Sequence, residues 1–378
     1  MISVGVVMPL AEQRGGGELM LLQLVAHAPR SEVRWLVIFL ESGPMVKQVA
    51  DLGADVEVVE AGRLRALHRY IWAVWKIARI LRKHRVVITC GWMAKGHLYS
   101  SMAAMLARVP AFWYQLGTAD PSFWMDFAAA KLSTNGIIVL SRAGEKAQIE
   151  LCPKTKVRLV YPGVDLHRFD AKRLVAPPEM RALLKLPTDG PLVGIAGRLQ
   201  RWKGIHHLIE AMPYVLTRHP NSHCVVVGGE WELERDYAAT LHATIRRLGL
   251  EETVILAGQQ SNVHEWMQAM DVVVHASDNE PFGIVVIEAM ALAKPVVASA
   301  EGGPREIITP GVNGLTAPFG DSQAIAARIL SYLDEPGRAA AIGLAARDRA
   351  GEFGVEVYAR RFLAAANEFI TERAEAPI

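Results

Sequence analysis

The chain has 378 residues, of which 51% are hydrophobic and 21% charged, enough apolar material for about two folded domains. This composition excludes a wholly disordered chain. The 41 basic and 39 acidic residues leave a formal net charge of +2, which argues against a protein that wraps nucleic acid over its whole surface. The three cysteines lie far apart without a CxxC pair, which predicts buried thiols rather than a zinc site. The apolar start lacks a preceding positive charge, so we expect a cytoplasmic protein without a signal peptide or membrane span.

Short β-branched runs alternate with longer helical patterns, which predicts parallel sheets covered by helices on both faces. In the first half the predicted strands are Val4–Pro9, Val33–Phe39, Val56–Val59, Val86–Thr89, Ala111–Tyr114, Ile137–Leu140 and Val157–Tyr161. In the second half they are Leu192–Ala196, Val225–Gly228, Val254–Ala257, Val272–His275 and Pro295–Ala298. The predicted fold class is α/β, with two Rossmann-like domains.

A segment rich in proline and glycine, without helical periodicity, separates these two series of strands. We therefore predict an N-terminal domain over residues 1–167, a linker over 168–191 and a C-terminal domain over 192–352. The last part of the chain is alanine-rich and charged and lacks strand patterns. It predicts a C-terminal helix over 353–378 that returns to the N-terminal domain.

Ligands of open parallel sheets bind beyond the carboxyl ends of the strands, so the loops after the strands are the places to inspect. Three consecutive glycines, Gly15, Gly16 and Gly17, follow the first predicted strand. Glycines let backbone N–H groups approach a ligand at a helix N-terminus, where a phosphate is favoured. The alternative is a flexible turn, and the triplet alone does not decide between the two.

A second loop, Gly197–Gly204, follows the strand Leu192–Ala196 and precedes a predicted helix. Its Arg198 and Lys203 would stand together at the carboxyl edge of the sheet, and the pair is suited to neutralising a diphosphate. The alternative is that both are ordinary solvated surface charges.

The third loop is the most specific, because it holds two carboxylates separated by seven residues, Glu280 and Glu288. Glu280 lies in the turn after Val272–His275, and Glu288 lies just over one turn into a helix that starts near Gly283. Gly283 permits a ligand to approach the N–H groups of the first turn. An acidic residue within an apolar helix must find a partner, and a ribose hydroxyl pair would supply one for Glu288.

The segments GRLQRWKG, EPFGIVVIEAMALAKPVVAS and GGPREII with GVNGL resemble the retaining, nucleotide-sugar-dependent glycosyltransferases of the GT-B fold known as family 4 or group 1. The resemblance covers residues 161–317 strongly and the N-terminal half in layout. It implies two Rossmann-like domains facing a central cleft, with C-terminal helices. It also implies an enzyme that moves a sugar from a UDP-, GDP- or ADP-linked donor to an acceptor hydroxyl in the synthesis of a cell-surface glycan, polysaccharide or glycolipid.

The resemblance also assigns roles to the conspicuous residues. Glu280 would contact the transferred sugar and Glu288 the nucleotide ribose, while Arg198 and Lys203 would hold the diphosphate and stabilise its departure. The implied catalytic residues are thus Arg198, Lys203 and Glu280. The other predicted donor-binding residues are Gly16, Gly17, Gln260, Phe282, Gly283, Ile284 and Val285. The chain lacks an Asp-x-Asp pair, so no metal or other cofactor is expected.

The acceptor side departs from the family pattern. Members often carry a histidine at the end of the fifth strand of the first domain, where this chain has Gln115. His97, on the first turn of a predicted helix, is the nearest alternative, although a histidine there is as often structural. Both residues are retained as acceptor-side candidates. A nucleotide-sugar epimerase of the same fold and a non-catalytic nucleotide-sugar-binding protein remain the alternative functions.

Residues 61–85 contain eight basic residues and no acid. On a helix, one arc of apolar residues is predicted to face the sheet, made of Leu64, Leu67, Ile71, Val74, Ala78 and Leu81. Trp72 is predicted to point outward among the cations, which are Arg65, Arg69, Lys76, Arg79 and Lys83. This pattern is typical of a helix that lies on an anionic membrane, and equally of a solvated basic face. The predicted partners are the donor, a glycan, lipid-linked or small-molecule acceptor and this membrane surface, with the enzyme peripheral on its inner face; no nucleic acid is expected.

Overall fold

A computed structural model describes residues 1–13 and 15–375 of the chain, so the last three residues of the predicted C-terminal helix lie outside the described residues. The chain divides into two compact units. The first contains Met1–Gly163 and the residues from Val355 onward, and the second contains Val164–Gly354.

The first unit is built on a parallel sheet of seven strands in the order β3-β2-β1-β4-β5-β6-β7. This order places β1 in the middle, as in doubly wound α/β folds. Its strands and helices are β1 (Ile2–Met8), α1 (Gly16–His27), β2 (Val33–Phe39), α2 (Pro44–Asp51), β3 (Asp55–Val58), α3 (Leu67–Lys83), β4 (Ile88–Trp92), α4 (Met93–Ala107), β5 (Ala111–Gln115), α5 (Trp124–Ala130), β6 (Gly136–Val139), α6 (Arg142–Leu151) and β7 (Val157–Leu159).

The second unit repeats the plan with six parallel strands in the order β10-β9-β8-β11-β12-β13. Its central strands, β8 and β11, are almost fully apolar and buried, as expected for strands covered on both faces. Its elements are α7 (Pro177–Leu183), β8 (Leu192–Ala196), α8 (Ile205–Leu216), β9 (His223–Val227), α9 (Asp236–Leu248), β10 (Val254–Gly258), α10 (Val263–Ala269), β11 (Val272–His275), α11 (Ile284–Ala291), β12 (Val296–Ser299), α12 (Pro304–Ile307), β13 (Leu315–Ala317), α13 (Ser322–Asp334) and α14 (Pro336–Ala350).

The predicted fold class is confirmed, because two parallel α/β sheets with Rossmann-type strand order and C-terminal helices are present. Most predicted strands are found within one or two residues of their expected bounds. The strand β13 (Leu315–Ala317) was not predicted, because three residues are too few to show an alternating pattern. In the part of the chain that the structure describes, no helix combines the length and the apolar character that crossing a bilayer requires.

The last helix, α15 (Val355–Glu375), belongs to the first unit and packs on one face of its sheet. Phe362 of this helix contacts the rings of Trp35 in β2 and Phe112 in β5, with ring centroids 6.1 and 5.6 Å apart. The next residues along these strands, Leu36 and Trp113, lie in apolar clusters with α3 and α4 on the opposite face. The sheet is therefore covered by α15 on one side and by α3 and α4 on the other, since side chains alternate along a strand.

The predicted linker over residues 168–191 is corrected by the structure, because this segment lies inside the second unit. Arg181, in α7, is almost fully buried and donates hydrogen bonds to the Ala269 and Gly190 carbonyls and to Asp271. The prolines that suggested a linker instead begin a helix, where a missing N–H costs nothing. The chain passes between the units at Gly163 and again after Gly354, and Val164 donates to the carbonyl of Phe353 beside the second passage.

The orientation of α3 also differs from the prediction. Leu67 and Ile71, which were expected to face the sheet, are 66% and 59% exposed. Trp72 and Trp75 are about half exposed on the same side of the helix. Val74, Ala78 and Leu81 are buried as predicted, and Ala73, Ile77 and Ile80 complete the buried side of α3. The apolar residues of the first two turns were wrongly assigned to the core, because the helix is apolar on more than its buried face.

Replacing Phe362 by alanine should remove the centre of the aromatic contact between α15 and the sheet. We expect a loss of about 3–5 kcal/mol in the free energy of unfolding, because a large buried ring is replaced by a cavity. Phe127→Ala is the matched control, since Phe127 is about half exposed on α5, and it should change stability by less than about 0.5 kcal/mol. Urea unfolding of both variants measures the difference, and equal losses would contradict this packing of α15.

Candidate functional site

Three loops of the second unit meet at the carboxyl edge of its sheet, after β8, β11 and β12. Backbone and side-chain hydrogen bonds join them. The N–H of Asp278 donates to the carbonyl of Trp202 at 2.7 Å, and the Ser299 hydroxyl donates to the carbonyl of Ser277 at 2.6 Å. The loops that the sequence singled out around residues 198–204 and 277–283 are therefore held together as one surface.

The centre of this surface is an ion pair between Lys203 and Glu280. Lys203 Nζ lies 2.6 Å from Glu280 Oε2, and both side chains are largely buried. His275, the last residue of β11, lies 3.2 Å from the same oxygen through its Nε2 atom. Burial alone would raise the pKa of Glu280, but the charge of Lys203 and the hydrogen bond from His275 outweigh it and lower that pKa to about 2. Glu280 is therefore a carboxylate at neutral pH.

Arg198 lies in the same loop as Lys203, and its side chain lies over an aromatic ring. Its guanidinium carbon lies 4.3 Å from the ring centroid of Trp231, which follows β9. The backbone of this loop is hydrogen-bonded to the loop that follows β9, since the N–H of Leu199 donates to the carbonyl of Gly229 at 2.9 Å. A Cβ on Gly228 would lie 1.8 Å from the Gly197 carbonyl oxygen, so only glycine lets these loops approach. Stacking on an aromatic face orients a planar guanidinium without using its hydrogen-bond donors.

The position of Glu280 depends on two glycines after β12. The N–H of Gly303 donates to the Glu280 carbonyl at 2.7 Å, and a Cβ on Gly303 would lie 2.2 Å from the Cα atom of Phe282. Gly302 has a φ of +70° and would place a Cβ 2.5 Å from the Glu280 carbonyl oxygen. The segment 302–304 therefore supports the backbone of the loop at residues 280–283.

The helix α11 begins directly after this loop, with Gly283 as its N-cap at a φ of 104°. A left-handed conformation of this kind favours glycine. The backbone N–H groups of Ile284 and Val285 lie in the first turn, where the helix itself supplies no acceptor. N–H groups in such a position can bind an anion or a hydroxyl, and the donor-binding role of Ile284 and Val285 stays a prediction.

Glu288 lies one turn further along α11 and is only 7% exposed. Burial raises its pKa to about 8, and the charge of Arg168 offsets this only in part. The carboxyl group is therefore mainly protonated at neutral pH, unlike that of Glu280. The two glutamates of the same motif are held in opposite protonation states, because one has a lysine partner and the other does not.

Two predicted donor-binding side chains are engaged elsewhere. Phe282 is almost fully buried and packs edge-on against Phe353 at 5.7 Å, so it is a core residue whose ring is not available to a ligand. The side-chain amide of Gln260 donates to the carbonyl of Ala257 at 2.7 Å, which keeps it close to the end of β10. Gln260 remains half-buried at the carboxyl edge of the sheet.

The glycines of the first unit open α1, which begins at Gly16 rather than near Leu19. The indole N–H of Trp92 donates to the carbonyl of Gly17 at 3.1 Å. A Cβ on Gly17 would lie 2.7 Å from a side-chain carbon of Leu116. The atoms that this Cβ would meet are the flexible ends of the Leu116 and Met93 side chains, so packing alone does not require a glycine at position 17.

The acceptor-side candidates are both buried in the first unit. His97 lies in the second turn of α4, not the first, is fully buried and stacks on Trp113 with ring centroids 5.4 Å apart. Burial lowers its pKa to about 3, so its imidazole is neutral. The Gln115 side chain is hydrogen-bonded to Asp126, whose pKa is raised by burial. In this structure His97 has no surface to offer an acceptor, which corrects that expectation.

His275, Trp231 and Arg168 form part of this surface and were not predicted. Trp231 follows a strand by four residues, and Arg168 fell within the presumed linker, so neither position carried a signal. His275 ends a predicted strand directly before the third loop, and its place alone could have drawn attention to it. Within the described residues no group of three or more histidine, cysteine, aspartate and glutamate side chains could hold a metal ion.

The chain is similar to known glycosyltransferases in sequence and in fold. Residues 178–349 match the model of the family described as Glycosyl transferases group 1. The D-inositol 3-phosphate glycosyltransferase of Xylanimonas cellulosilytica is 33% identical over 207 residues, which are 53% of this chain and 48% of that protein. The lipopolysaccharide core biosynthesis glycosyltransferase LpsE of Rhizobium meliloti is 37% identical over 150 residues, 39% of this chain and 41% of LpsE. The chain thus spans about half the length of the curated relatives it matches.

A solved structure extends the similarity over nearly the whole chain. Alr3699/HepE of Anabaena, determined in complex with UDP and glucose, is 27% identical, with a TM-score of 0.85 over 97% of this chain and all of that one. The two α/β units have the fold of the GT-B glycosyltransferases. The similarities support the prediction of a glycosyltransferase enzyme and identify the group 1 glycosyltransferases as the family that residues 178–349 match.

Proposed function

We propose that the protein is a retaining glycosyltransferase of family 4 that moves a sugar from a nucleotide diphosphate donor to an acceptor hydroxyl. The observation that carries the proposal is the buried Lys203–Glu280 ion pair at the carboxyl edge of the second sheet, where Lys203 shares its loop with Arg198. HepE, which shares the fold over nearly the whole chain, was determined with UDP and with glucose or UDP-glucose. A UDP-linked donor is therefore the first to test, ahead of GDP- and ADP-linked donors.

The chain's own residues supply the chemistry of this transfer. Arg198 and Lys203 neutralise the charge that develops on the diphosphate as the anomeric bond breaks, and the acceptor hydroxyl attacks from the face that the diphosphate leaves. Glu280 accepts hydrogen bonds from the sugar hydroxyls, and Glu288 accepts them from the ribose. The N–H groups of Ile284 and Val285 bind the phosphate or the sugar. The departing diphosphate oxygen lies on the face from which the acceptor attacks and takes the proton of the acceptor hydroxyl, so no strong general base from the chain is required.

The relatives define the range of acceptors that we propose. LpsE is named for lipopolysaccharide core biosynthesis, and the Xylanimonas protein is named for D-inositol 3-phosphate. An acceptor in cell-surface glycan, polysaccharide or glycolipid synthesis fits the first, and a small polar acceptor fits the second. Transfer to an added acceptor distinguishes this proposal from an epimerase and from a protein that binds a nucleotide sugar without turnover.

We further propose that the exposed side of α3 binds an anionic membrane surface. Four large apolar side chains of this helix are exposed rather than packed in the core: Leu67, Ile71, Trp72 and Trp75. Lys76 Nζ lies 5.1 Å from the Trp72 ring, and Arg79 lies 4.7 Å from the Trp75 ring. An open groove of about 520 Å³ is lined by Trp72, Trp75, Lys76 and Arg79, together with Glu57, Ile80 and Lys83. Tryptophan rings beside cations suit the headgroup layer of an anionic bilayer, where each basic residue adds about 1 kcal/mol.

Replacing Arg198 by alanine should reduce transfer about a hundredfold, because a cation facing the leaving diphosphate contributes on the order of 3 kcal/mol to lowering the barrier. Arg201→Ala is the matched control in the same loop. Arg201 is half exposed and pairs with Asp236, so its loss should change kcat/KM no more than a few fold. Turnover of UDP-glucose by the purified, folded variants measures both, and wild-type rates for Arg198→Ala would refute the proposal.

Binding of UDP-glucose should strengthen as the pH rises from about 6 to 8. In the free protein Glu288 has a pKa of about 8, so below that pH the ribose hydroxyls must displace a proton to bind a carboxylate. We expect the dissociation constant to fall by up to about tenfold per pH unit and to level off above pH 8. The diphosphate diester does not titrate in this range. Calorimetry across pH tests this, and the same slope in Glu288→Gln would contradict the assignment.

The membrane proposal is tested by sedimentation with vesicles of anionic and of purely zwitterionic lipid at low salt. Wild-type protein should sediment with the anionic vesicles only. Trp72→Ser with Trp75→Ser should weaken this binding, as should neutralising Arg65, Arg69, Lys76 and Lys83. Trp124→Ser is the control, because Trp124 is as exposed as Trp75 but lies on α5. Binding that survives both sets of changes would assign the helix face to solvent.

A further inference from the structure

His275 is a buried polar residue at the centre of the site that the proposed chemistry leaves without a role. It is the last residue of β11 and only 4% exposed. Its Nε2 atom lies 3.2 Å from Glu280 Oε2 and 3.2 Å from the hydroxyl of Ser277. Its other ring nitrogen, Nδ1, is buried and has no hydrogen-bond partner among the described residues.

This asymmetry determines which nitrogen carries the proton. A proton on Nδ1 would bury an N–H group without an acceptor, which is costly in a protein interior. A proton on Nε2 points at the carboxylate of Glu280, which accepts the hydrogen bond. A ring with its proton on Nε2 is therefore the form that satisfies the surroundings. The two hydrogen-bond donors to Glu280 are then the Lys203 ammonium group and the Nε2–H group of His275.

Both donors act on the same carboxylate oxygen. Lys203 Nζ and His275 Nε2 both form their hydrogen bonds with Glu280 Oε2, at 2.6 and 3.2 Å. A carboxylate with one oxygen held by two donors can rotate little about its last bond. Its second oxygen is then presented in a defined direction.

We propose that His275 is a positioning residue that holds Oε2 of Glu280 so that Oε1 is free to accept a hydrogen bond from a hydroxyl of the transferred sugar. This inference rests on the proposed function for the identity of the ligand. It assigns His275 to recognition of the sugar and not of the nucleotide.

The first arm of the test needs no ligand. Long-range proton–nitrogen NMR of the histidine rings, assigned with His275→Gln, should show His275 protonated at Nε2 and bare at Nδ1 at neutral pH. Glu280→Gln should shift the Nε2 resonance, since it changes the acceptor. A proton on Nδ1, or a resonance that ignores Glu280→Gln, would overturn the proposal.

The second arm separates sugar recognition from general damage to the loop. His275→Leu keeps much of the volume and removes the donor, while His275→Gln keeps an N–H donor near the Nε2 position. Calorimetry measures the affinities of each variant for UDP-glucose and for UDP. His275→Leu should weaken UDP-glucose relative to UDP by about tenfold compared with wild type, and His275→Gln should recover most of that ratio.

The outcomes distinguish this inference from the proposed function. If the wild-type protein binds neither UDP-glucose nor UDP, the proposed UDP-linked donor fails, and the NMR arm alone decides whether His275 holds Glu280. If wild type binds both and His275→Leu weakens both equally, the role of His275 is structural and the positioning proposal is wrong. The positioning proposal is also wrong if the affinity for UDP-glucose relative to UDP is the same in His275→Leu and His275→Gln.

Discussion

The site depends on one buried ion pair. Removing a carboxylate from water is unfavourable unless a charge and hydrogen bonds replace the solvent, and Lys203 supplies both to Glu280 at 2.6 Å. Glu288 shows the contrast, because it lies eight residues further along the same motif without such a partner and is protonated at neutral pH. Because of this pair, the surface carries a negative charge at Glu280 and not at Glu288. It also keeps a cation at the edge of the sheet, where a diphosphate would need one.

Backbone geometry brings this pair together. Lys203 follows β8 and Glu280 follows β11, and these strands are neighbours in the sheet although they are far apart in sequence. Glycines then remove the side chains that would separate the loops, at Gly228 beside the Arg198 loop and at Gly302 and Gly303 beside Glu280. A parallel sheet with glycines at its carboxyl edge is a rigid frame for a small number of charged side chains. Behind this edge, His275 and Ser277 are buried and hydrogen-bonded to each other.

Much of the fold and the centre of the site could be predicted from the sequence, for physical reasons that particular residues make clear. Buried parallel strands such as Leu192–Ala196 and Val272–His275 are continuous apolar runs, and these runs mark the loops that follow them. Arg198, Lys203, Glu280 and Gly283 were found in this way. What sequence alone could not predict was the use of each residue in three dimensions. Phe282 lies between Glu280 and Gly283 in the sequence but belongs to the core, and Arg168 lies in a proline-rich segment but its charge acts on Glu288. The exposed side of α3 was misjudged because a helix with apolar residues on two faces has no unique buried side.

The most direct test of the central claim is a thermal-unfolding screen with UDP-, GDP- and ADP-linked sugars, run on wild type and on Lys203→Met with Glu280→Gln. Replacing both partners of a buried ion pair avoids leaving one charge unpaired, so the double variant should fold. A donor at a hundred times its dissociation constant should stabilise the wild-type protein by about 2.7 kcal/mol. The account predicts this stabilisation with at least one donor, and its loss in the folded double variant. Stabilisation by none of the donors, or equal stabilisation of both proteins, would contradict it.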